Sequence, residues 1–155
     1  MEYTRAQIRE NRMKWINFLM TKGRKKTTGI LDGGEGKRCC LGHGCYALGM
    51  RPKKEGGSFT YEDQDSYPPV SFVEKVGLYN CAGRSKSANW LEIRKNLKFS
   101  DLASANDTAD VIPDGSEELV KVNITPRQIG KYLLSVIEGG EDTPFKPLTD
   151  CPETL

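Results

Sequence analysis

Apolar residues near the start of the chain recur at the spacing of one helical face, at Ile8, Trp15, Ile16 and Leu19. In front of them, Thr4 and Gln7 have the spacing of a capping box, in which each residue satisfies a backbone N–H of the other. Gly23 follows and is a typical helix stop. The pattern predicts an amphipathic N-terminal helix.

A second helical pattern lies near the other end, with apolar residues at Ile129, Tyr132, Leu133, Val136 and Ile137. Thr125 and Gln128 repeat the capping-box spacing, and Pro126 stands at the first helical position, where its missing N–H costs nothing. Gly139 and Gly140 end the pattern. We therefore predict an amphipathic C-terminal helix.

Between these helices the chain alternates short β-prone runs with turn residues. Residues 24–31 end in a β-prone run, residues 32–36 are typical of a turn, and residues 119–124 alternate as a strand does. The polar residues 51–70 predict a long mobile loop. Ser71 as a cap and Gly77 as a stop predict a short helix after that loop.

These elements predict an α+β fold. A length of 155 residues favours one compact domain over two. We expect residues 1–140 to form that domain, with the N- and C-terminal helices packed on a small, mostly antiparallel sheet. Residues 141–155 are acidic and contain prolines, which predicts a flexible tail.

Charge is distributed unevenly along the chain. Residues 1–100 carry 19 Lys and Arg against 10 Asp and Glu, whereas residues 101–155 carry 4 against 11. The asymmetry favours a basic surface that contacts phosphates, with an acidic segment that repels or screens them. The alternative is a solvated surface whose two halves complement each other.

Three of the five cysteines and the only histidine lie in one short stretch, at Cys39, Cys40, His43 and Cys45. Adjacent cysteines lack the two-residue gap that presents two thiolates to one zinc ion, so we predict no metal and no cofactor. Buried inert thiols are the simplest interpretation, because free cysteine behaves as a small apolar side chain. A reactive cysteine beside His43, and therefore an enzyme, is the weaker alternative.

The location of the protein is predicted from its cysteines and its hydropathy. An odd cysteine count and the lack of a charged-then-apolar leader indicate a reducing cytosol. No apolar run approaches the length of about 18 residues that a bilayer requires, so no membrane partner is predicted.

Candidate binding residues surround the glycine-rich turn, where backbone amides and lysines favour an anion. The spacing differs from a phosphate-binding P-loop, since Arg38 stands where that motif has Ser or Thr. Trp90 has basic neighbours and could stack on a base, although a tryptophan near Leu91 and Ile93 also fits a core. The predicted ligand-binding set is Arg24, Lys25, Lys26, Thr27, Thr28, Lys37, Arg38, His43, Trp90, Asn106 and Asp107.

The chain resembles a family of small uncharacterised proteins of tailed bacteriophages. The matching features are Trp15, Gly29-Ile30-Leu31, Cys39-Cys40-Leu41-Gly42 with Cys45, Leu102 with Asn106-Asp107, and Ile129-Gly130-Lys131-Tyr132. His43 and Gly44 depart from the family pattern, which usually has an aliphatic residue after the Cys-Cys-Leu-Gly motif. The resemblance implies a phage accessory protein acting in the cytosol of the bacterial host, and it implies no particular activity.

Two function classes compete for such a protein. The first is host takeover or anti-defence by capture of a small anionic, nucleotide-type ligand at the basic group. The second is inhibition of a host protein or nucleic-acid complex through the basic face or the acidic tail. A homodimer is considered by analogy, because small proteins often build pockets at symmetric interfaces. Asn106 and Asp107 have the simpler alternative of a turn or helix cap.

Overall fold

Five helices and nine short strands make up the computed structural model, which describes residues 2–155. The helices are α1 Arg5–Met20, α2 Cys40–Ala47, α3 Val70–Val76, α4 Leu102–Asp107 and α5 Pro126–Ser135. The strands are β1 Lys25–Lys26, β2 Asp32–Gly34, β3 Lys37–Arg38, β4 Lys53–Glu55, β5 Ser58–Thr60, β6 Leu91–Arg94, β7 Leu97–Phe99, β8 Asp110–Val111 and β9 Val120–Lys121. A single 3-10 turn, Leu148–Asp150, follows α5. The α+β class is confirmed.

Both predicted capping boxes are present. Thr4 Oγ1 accepts from the Gln7 N–H at 3.2 Å, and Gln7 Oε1 accepts from the Thr4 N–H at 2.8 Å. At the start of α5, the corresponding bonds between Thr125 and Gln128 measure 3.2 and 2.9 Å. The caps fix where the two helices begin, and their apolar faces decide where they pack.

The two terminal helices pack directly on each other. α1 also contacts α2 and α3, while α5 contacts β6. The β structure is divided into a three-stranded sheet of order β1-β3-β2 and three separate hairpins. β1 runs parallel to β3, and the other strand pairs are antiparallel. The helices therefore form the centre of the fold, and the sheets are smaller than the single sheet that the sequence predicts.

Trp15 of α1 lies at the middle of the core. Its ring makes edge contacts with Phe72 at 5.2 Å and with Phe145 at 5.9 Å between centroids. Its Nε1–H donates to the Cys40 carbonyl at 2.9 Å, which satisfies the only polar atom of a fully buried side chain. Trp15 thus connects α1 to α2, to α3 and to the C-terminal segment.

Arg12 is a fully buried cation one turn before Trp15. Its guanidinium donates to four carbonyl oxygens, those of Val76, Gly77, Ile137 and Lys146, at 2.6–3.2 Å. The Val76, Gly77 and Ile137 carbonyls lie just at or beyond the ends of α3 and α5, where helix dipoles present partial negative charge. Arg12 therefore ties three chain segments to α1, with no carboxylate partner within residues 2–155.

The C-terminal segment differs from the predicted flexible tail. Phe145 and Leu148 are buried in the core, and the guanidinium of Arg12 lies 4.2 Å from the Phe145 ring centroid. Arg5 donates to the Leu148 carbonyl at 2.8 Å and forms an ion pair with Glu153 at 3.0 Å. Burial of these two apolar side chains, together with the contacts of Arg5 and Arg12, anchors the segment despite its polar composition.

The loop predicted between residues 51 and 70 also contains regular structure. β4 and β5 form a hairpin within it, and Tyr61 after that hairpin is fully buried. The short helix α3 follows as predicted and ends at Gly77, whose φ of 66° is the left-handed conformation that glycine favours. Its cap is Pro69 rather than the predicted Ser71. None of the helices among residues 2–155 is both long and apolar enough to cross a bilayer.

Candidate functional site

The Cys-Cys-Leu-Gly segment forms a packing centre at the start of α2. Cys39 is the N-cap, and its Sγ accepts from the Gly42 N–H at 3.3 Å. A Cβ on Gly42 would lie only 1.9 Å from the Leu31 carbonyl oxygen, so no larger residue fits there. Gly44 is similarly enclosed by the rings of Phe72 and Trp15. The motif is required by close packing of α2 against the rest of the core.

The Asn106-Asp107 pair at the end of α4 contacts the same region. Asn106 is buried, and its Oδ1 accepts from the Cys40 N–H at 3.1 Å while its Nδ2 donates to the Thr27 carbonyl at 2.9 Å. Asp107 is exposed and accepts from the Gly29 N–H at 3.2 Å. The two motifs therefore support each other, and Asn106 has its amide engaged by backbone groups rather than available to a ligand.

The three cysteines of this segment are buried as free thiols. Burial raises the pKa of Cys39 to about 11 and also raises the pKa values of Cys40 and Cys45. The thiolate is the nucleophile, so all three are inert at neutral pH. The geometry does not support the reactive-cysteine alternative at this motif.

His43 is fully buried between α2 and β1. Its Nε2 lies 2.6 Å from the Lys25 carbonyl oxygen, so Nε2 carries the proton and donates. Burial is the main cause of the lowering of the His43 pKa to about 4, and the nearby charges of Arg38 and Arg24 add to it. His43 is therefore neutral at physiological pH and stabilises the β1 edge.

The basic residues predicted as a binding group lie together on the paired strands β1 and β3. Lys25 faces Lys37 in the register, and Lys26 faces Arg38. Lys26 Nζ donates to the Ile124 carbonyl at 3.0 Å, and burial lowers its pKa. The two threonines that follow are outside this row of cations. The Thr27 carbonyl accepts a hydrogen bond from Asn106 Nδ2, and Thr28 is exposed in the next bend.

The glycine-rich turn already has an internal anion. Asp32 accepts from the Gly34 N–H at 2.8 Å, from Arg38 Nε at 3.1 Å and from the Tyr61 hydroxyl at 2.6 Å. The guanidinium of Arg38 also stacks 3.8 Å from the centroid of the Tyr46 ring. Asp32 therefore engages one backbone N–H of this turn and pairs with Arg38, so these donors are already used within the protein.

A cleft between the end of α1 and the start of α5 gathers a second set of cations. It has a volume of about 530 Å³, and its lining includes Lys22, Arg24 and Arg127. Among the described residues, no carboxylate lines it. We call this feature the cationic cleft. It retains Arg24 from the predicted group and adds Lys22 and Arg127.

The position of Arg127 near the start of a helix is a sequence feature that could have identified it as a candidate binding residue. Arg127 occupies the second position of α5, where a positive charge opposes the helix dipole and is normally disfavoured. A cation in this position suggests a requirement other than helix stability. The partnership with Lys22 and Arg24 could not be read from the sequence, since about a hundred residues separate the two segments.

Trp90 lies away from the cations. It is 63% exposed and lines a separate groove with residues of β7, α4 and the β8–β9 hairpin. The structure therefore places the predicted cations and Trp90 on three separate features, the β1–β3 surface, the cationic cleft and this groove. The other predicted residues lie outside them, with His43 and Asn106 buried. Within residues 2–155, no three His, Cys, Asp or Glu side chains are grouped to hold a metal ion. Comparisons with protein-family models, with curated proteins and with solved structures find no match to this chain.

Proposed function

We propose that the protein binds a small phosphate-bearing ligand of the nucleotide type in the cationic cleft. The observation that carries this proposal is the composition of the cleft lining, which has three cations and, within the described residues, no carboxylate. Phosphate oxygens are the natural partners of arginine, whose planar fork of N–H groups matches their geometry.

The cleft arginines are held in place but retain most of their donors. Arg24 Nε donates to the Phe18 carbonyl at 2.8 Å, and its guanidinium lies 3.5 Å from the Phe18 ring centroid. Arg127 Nη1 donates to the Met20 carbonyl at 2.7 Å. Each guanidinium has five N–H groups, so four remain on each arginine for a ligand. Fixed side chains lose less entropy on binding than mobile ones.

The electrostatic environment also favours an anion. Partial burial and the neighbouring charge of Arg38 lower the pKa of Arg24. The charges of Arg38 and Arg24 also contribute to the lowered pKa of His43. These lowered pKa values mean that the region disfavours additional positive charge. A bound phosphate would offset this excess of positive charge, and the partial burial of Arg24 would strengthen its interaction with the phosphate.

The size of the cleft suits a compact ligand. A volume of about 530 Å³ lies in the range typical of small-molecule sites. It is open to solvent on one side, as capture of a soluble metabolite requires. The resemblance to phage accessory proteins implies no particular activity, so removal of a host nucleotide signal is proposed from the basic residues alone.

Isothermal titration calorimetry with inorganic pyrophosphate, ADP and adenosine tests the proposal. We expect pyrophosphate and ADP to bind the cleft and to lose affinity when its cations are replaced, whereas any heat of binding with adenosine is the same in the wild type and in the cleft variants. Lys22→Gln and Arg127→Gln should each weaken pyrophosphate binding by about tenfold, the loss expected for one charge-assisted hydrogen bond. Lys86→Gln is the matched control, because Lys86 is exposed and lies outside the cleft. Equal affinity in all three variants would refute the cleft as the site.

Binding of a longer polyanion is the second candidate, and the β1–β3 surface favours it. Lys25 and Lys37 are exposed and adjacent across this strand pair, so their charges repel each other until an anion intervenes. A single-stranded oligonucleotide contacting both lysines and the cleft should show a steep loss of affinity with salt. Pyrophosphate confined to the cleft should lose less, and Lys25→Gln with Lys37→Gln should affect only the oligonucleotide.

A further inference from the structure

We propose that the groove beside Trp90 is a second binding site, for a flat uncharged aromatic ring that carries an amino group, such as an adenine base. We call this feature the Trp90 groove. It is enclosed by the β6–β7 hairpin, α4 and the β8–β9 hairpin, and its volume is about 660 Å³. It is independent of the cationic cleft, because the two share no lining residue.

The apolar walls of the groove are unusually exposed. Trp90 is 63% exposed, Ile112 is 55% exposed and Leu119 is 64% exposed, and all three line the same groove. Phe99 forms its buried floor. Large apolar side chains that gather around one concave surface without being buried indicate a surface that a ligand covers. An indole face is the best stacking platform for an aromatic ring among the side chains.

The polar groups of the groove disfavour a phosphate. Its one lysine, Lys98, is paired with Asp114 at 3.0 Å, so its charge is neutralised. Asp110 also lines the groove, and its exposed carboxylate has no side-chain partner among the described residues. A free carboxylate accepts hydrogen bonds and repels anions. A ligand with N–H donors and no negative charge therefore fits the groove, which is the opposite requirement to that of the cationic cleft.

Hydroxyl groups add directional contacts along one wall. Ser100 Oγ and Ser104 Oγ lie 3.2 Å apart in a hydrogen bond, and Thr108 follows Ser104 by one helical turn. These oxygens can both accept and donate, as the ring nitrogens and amino group of a purine require. The groove combines one aromatic wall, one free acceptor and a row of hydroxyls, which is the composition expected of a site for a nitrogen heterocycle.

Tryptophan fluorescence gives a direct test with adenosine as the probe. The chain has two tryptophans, and Trp15 is fully buried, so quenching by a solute ligand reports on Trp90. We expect saturable quenching by adenosine and none by pyrophosphate. Trp90→Ala should weaken adenosine binding, measured by calorimetry, by at least about tenfold. Tyr67→Ala is the matched control, because Tyr67 is an exposed aromatic residue outside the groove.

A second pair of ligands tests the role of Asp110. Purine riboside lacks the amino group of adenosine and should bind about tenfold more weakly. Asp110→Ala, which removes the acceptor, should remove most of this preference while purine riboside binds as before. Arg127→Gln should leave adenosine binding unchanged, so the outcome is separate from that of the cationic cleft. Lack of saturable quenching, or equal binding to Trp90→Ala, would overturn the assignment.

Discussion

Arg12 in the core and the two arginines of the cationic cleft, Arg24 and Arg127, have no carboxylate partner among residues 2–155, and the two regions differ in what satisfies these side chains. Arg12 in the core donates to four carbonyl oxygens and uses four of its five N–H groups. Arg24 and Arg127 in the cationic cleft each use one N–H group. Arg12 is fully buried, whereas the cleft is open to solvent.

The comparison shows that an arginine without an acidic partner is not by itself a binding residue. Backbone carbonyl oxygens, several of them at helix ends, can satisfy most of the donors of a guanidinium, and the residue is then structural. Burial lowers the pKa of Arg12 to about 10, which still leaves it charged at neutral pH. The number of donors that remain, together with access from solvent, separates the two roles.

Removal of the Arg12 guanidinium should have the largest effect on stability. Arg12→Met leaves four carbonyl acceptors without their donor in a buried region, and each unsatisfied buried group is costly. We expect the free energy of unfolding, measured by urea denaturation, to fall by more than about 3 kcal/mol. Arg9→Met on the same helix breaks only an exposed pair with Glu138 and should cost less than about 1 kcal/mol. Equal losses would contradict the structural role of Arg12.

Acid should destabilise the protein through His43, close to the cleft. The folded-state pKa of His43 is about 4, below its ordinary value of 6.5, so between these pH values only the unfolded state takes up the proton. Stability is therefore complete above pH 6.5 and falls as the pH is lowered towards 4, by about 3 kcal/mol in total.

Urea denaturation at several pH values measures this loss, and His43→Gln supplies the control. Glutamine keeps an N–H donor for the Lys25 carbonyl and has no proton to gain. Because His43 is the only histidine, the variant should show a flat profile between pH 7 and 5. A wild-type profile that is also flat would show that His43 is not held neutral by burial.

The contact between Arg12 and Phe145 should contribute a smaller amount. Phe145→Leu removes the ring that lies 4.2 Å from the guanidinium and should cost about 1–2 kcal/mol. A double-mutant cycle with Arg12→Met isolates the pairwise energy, which we expect to be about 1 kcal/mol. A coupling energy of zero would mean that the contact between the cation and the ring adds nothing and that Phe145 contributes by apolar burial alone.

The cleft cations should matter least to stability. Arg127→Gln removes one hydrogen bond at an exposed position and should change the free energy of unfolding by less than about 0.5 kcal/mol. The same variant should bind pyrophosphate more weakly. The substitution therefore changes the binding affinity while the free energy of unfolding stays nearly the same. A large destabilisation would place Arg127 in the same structural class as Arg12.

The sequence predicts the helices of this fold well because their signals are local. Each capping box spans only four residues of the chain, from Thr4 to Gln7 in α1 and from Thr125 to Gln128 in α5. Gly77 marks the end of α3. The sequence does not predict that the C-terminal segment is anchored, because its composition is polar and its burial depends on contact between Phe145 and a distant helix.

The candidate site is less predictable for the same physical reason. The row of basic residues at 24–26 and 37–38 is visible in the sequence, but the ion pair of Arg38 with Asp32 and the hydrogen bond of Lys26 to the Ile124 carbonyl depend on folding. The Cys-Cys-Leu-Gly motif attracts attention for its chemistry, whereas Gly42 is required by a carbonyl of Leu31. Contacts between segments far apart in the chain decide which conspicuous residues remain free for a ligand.

The most direct test of the difference between the two regions is a pyrophosphate titration followed by NMR of the arginine Nε–H resonances. Arg24→Lys, Arg127→Lys and Arg12→Lys assign the three signals by their loss. We predict saturable shifts for Arg24 and Arg127 with one common dissociation constant, and no shift for Arg12. Small, non-saturating shifts spread over all exposed arginines would contradict the claim that the cationic cleft is a binding site.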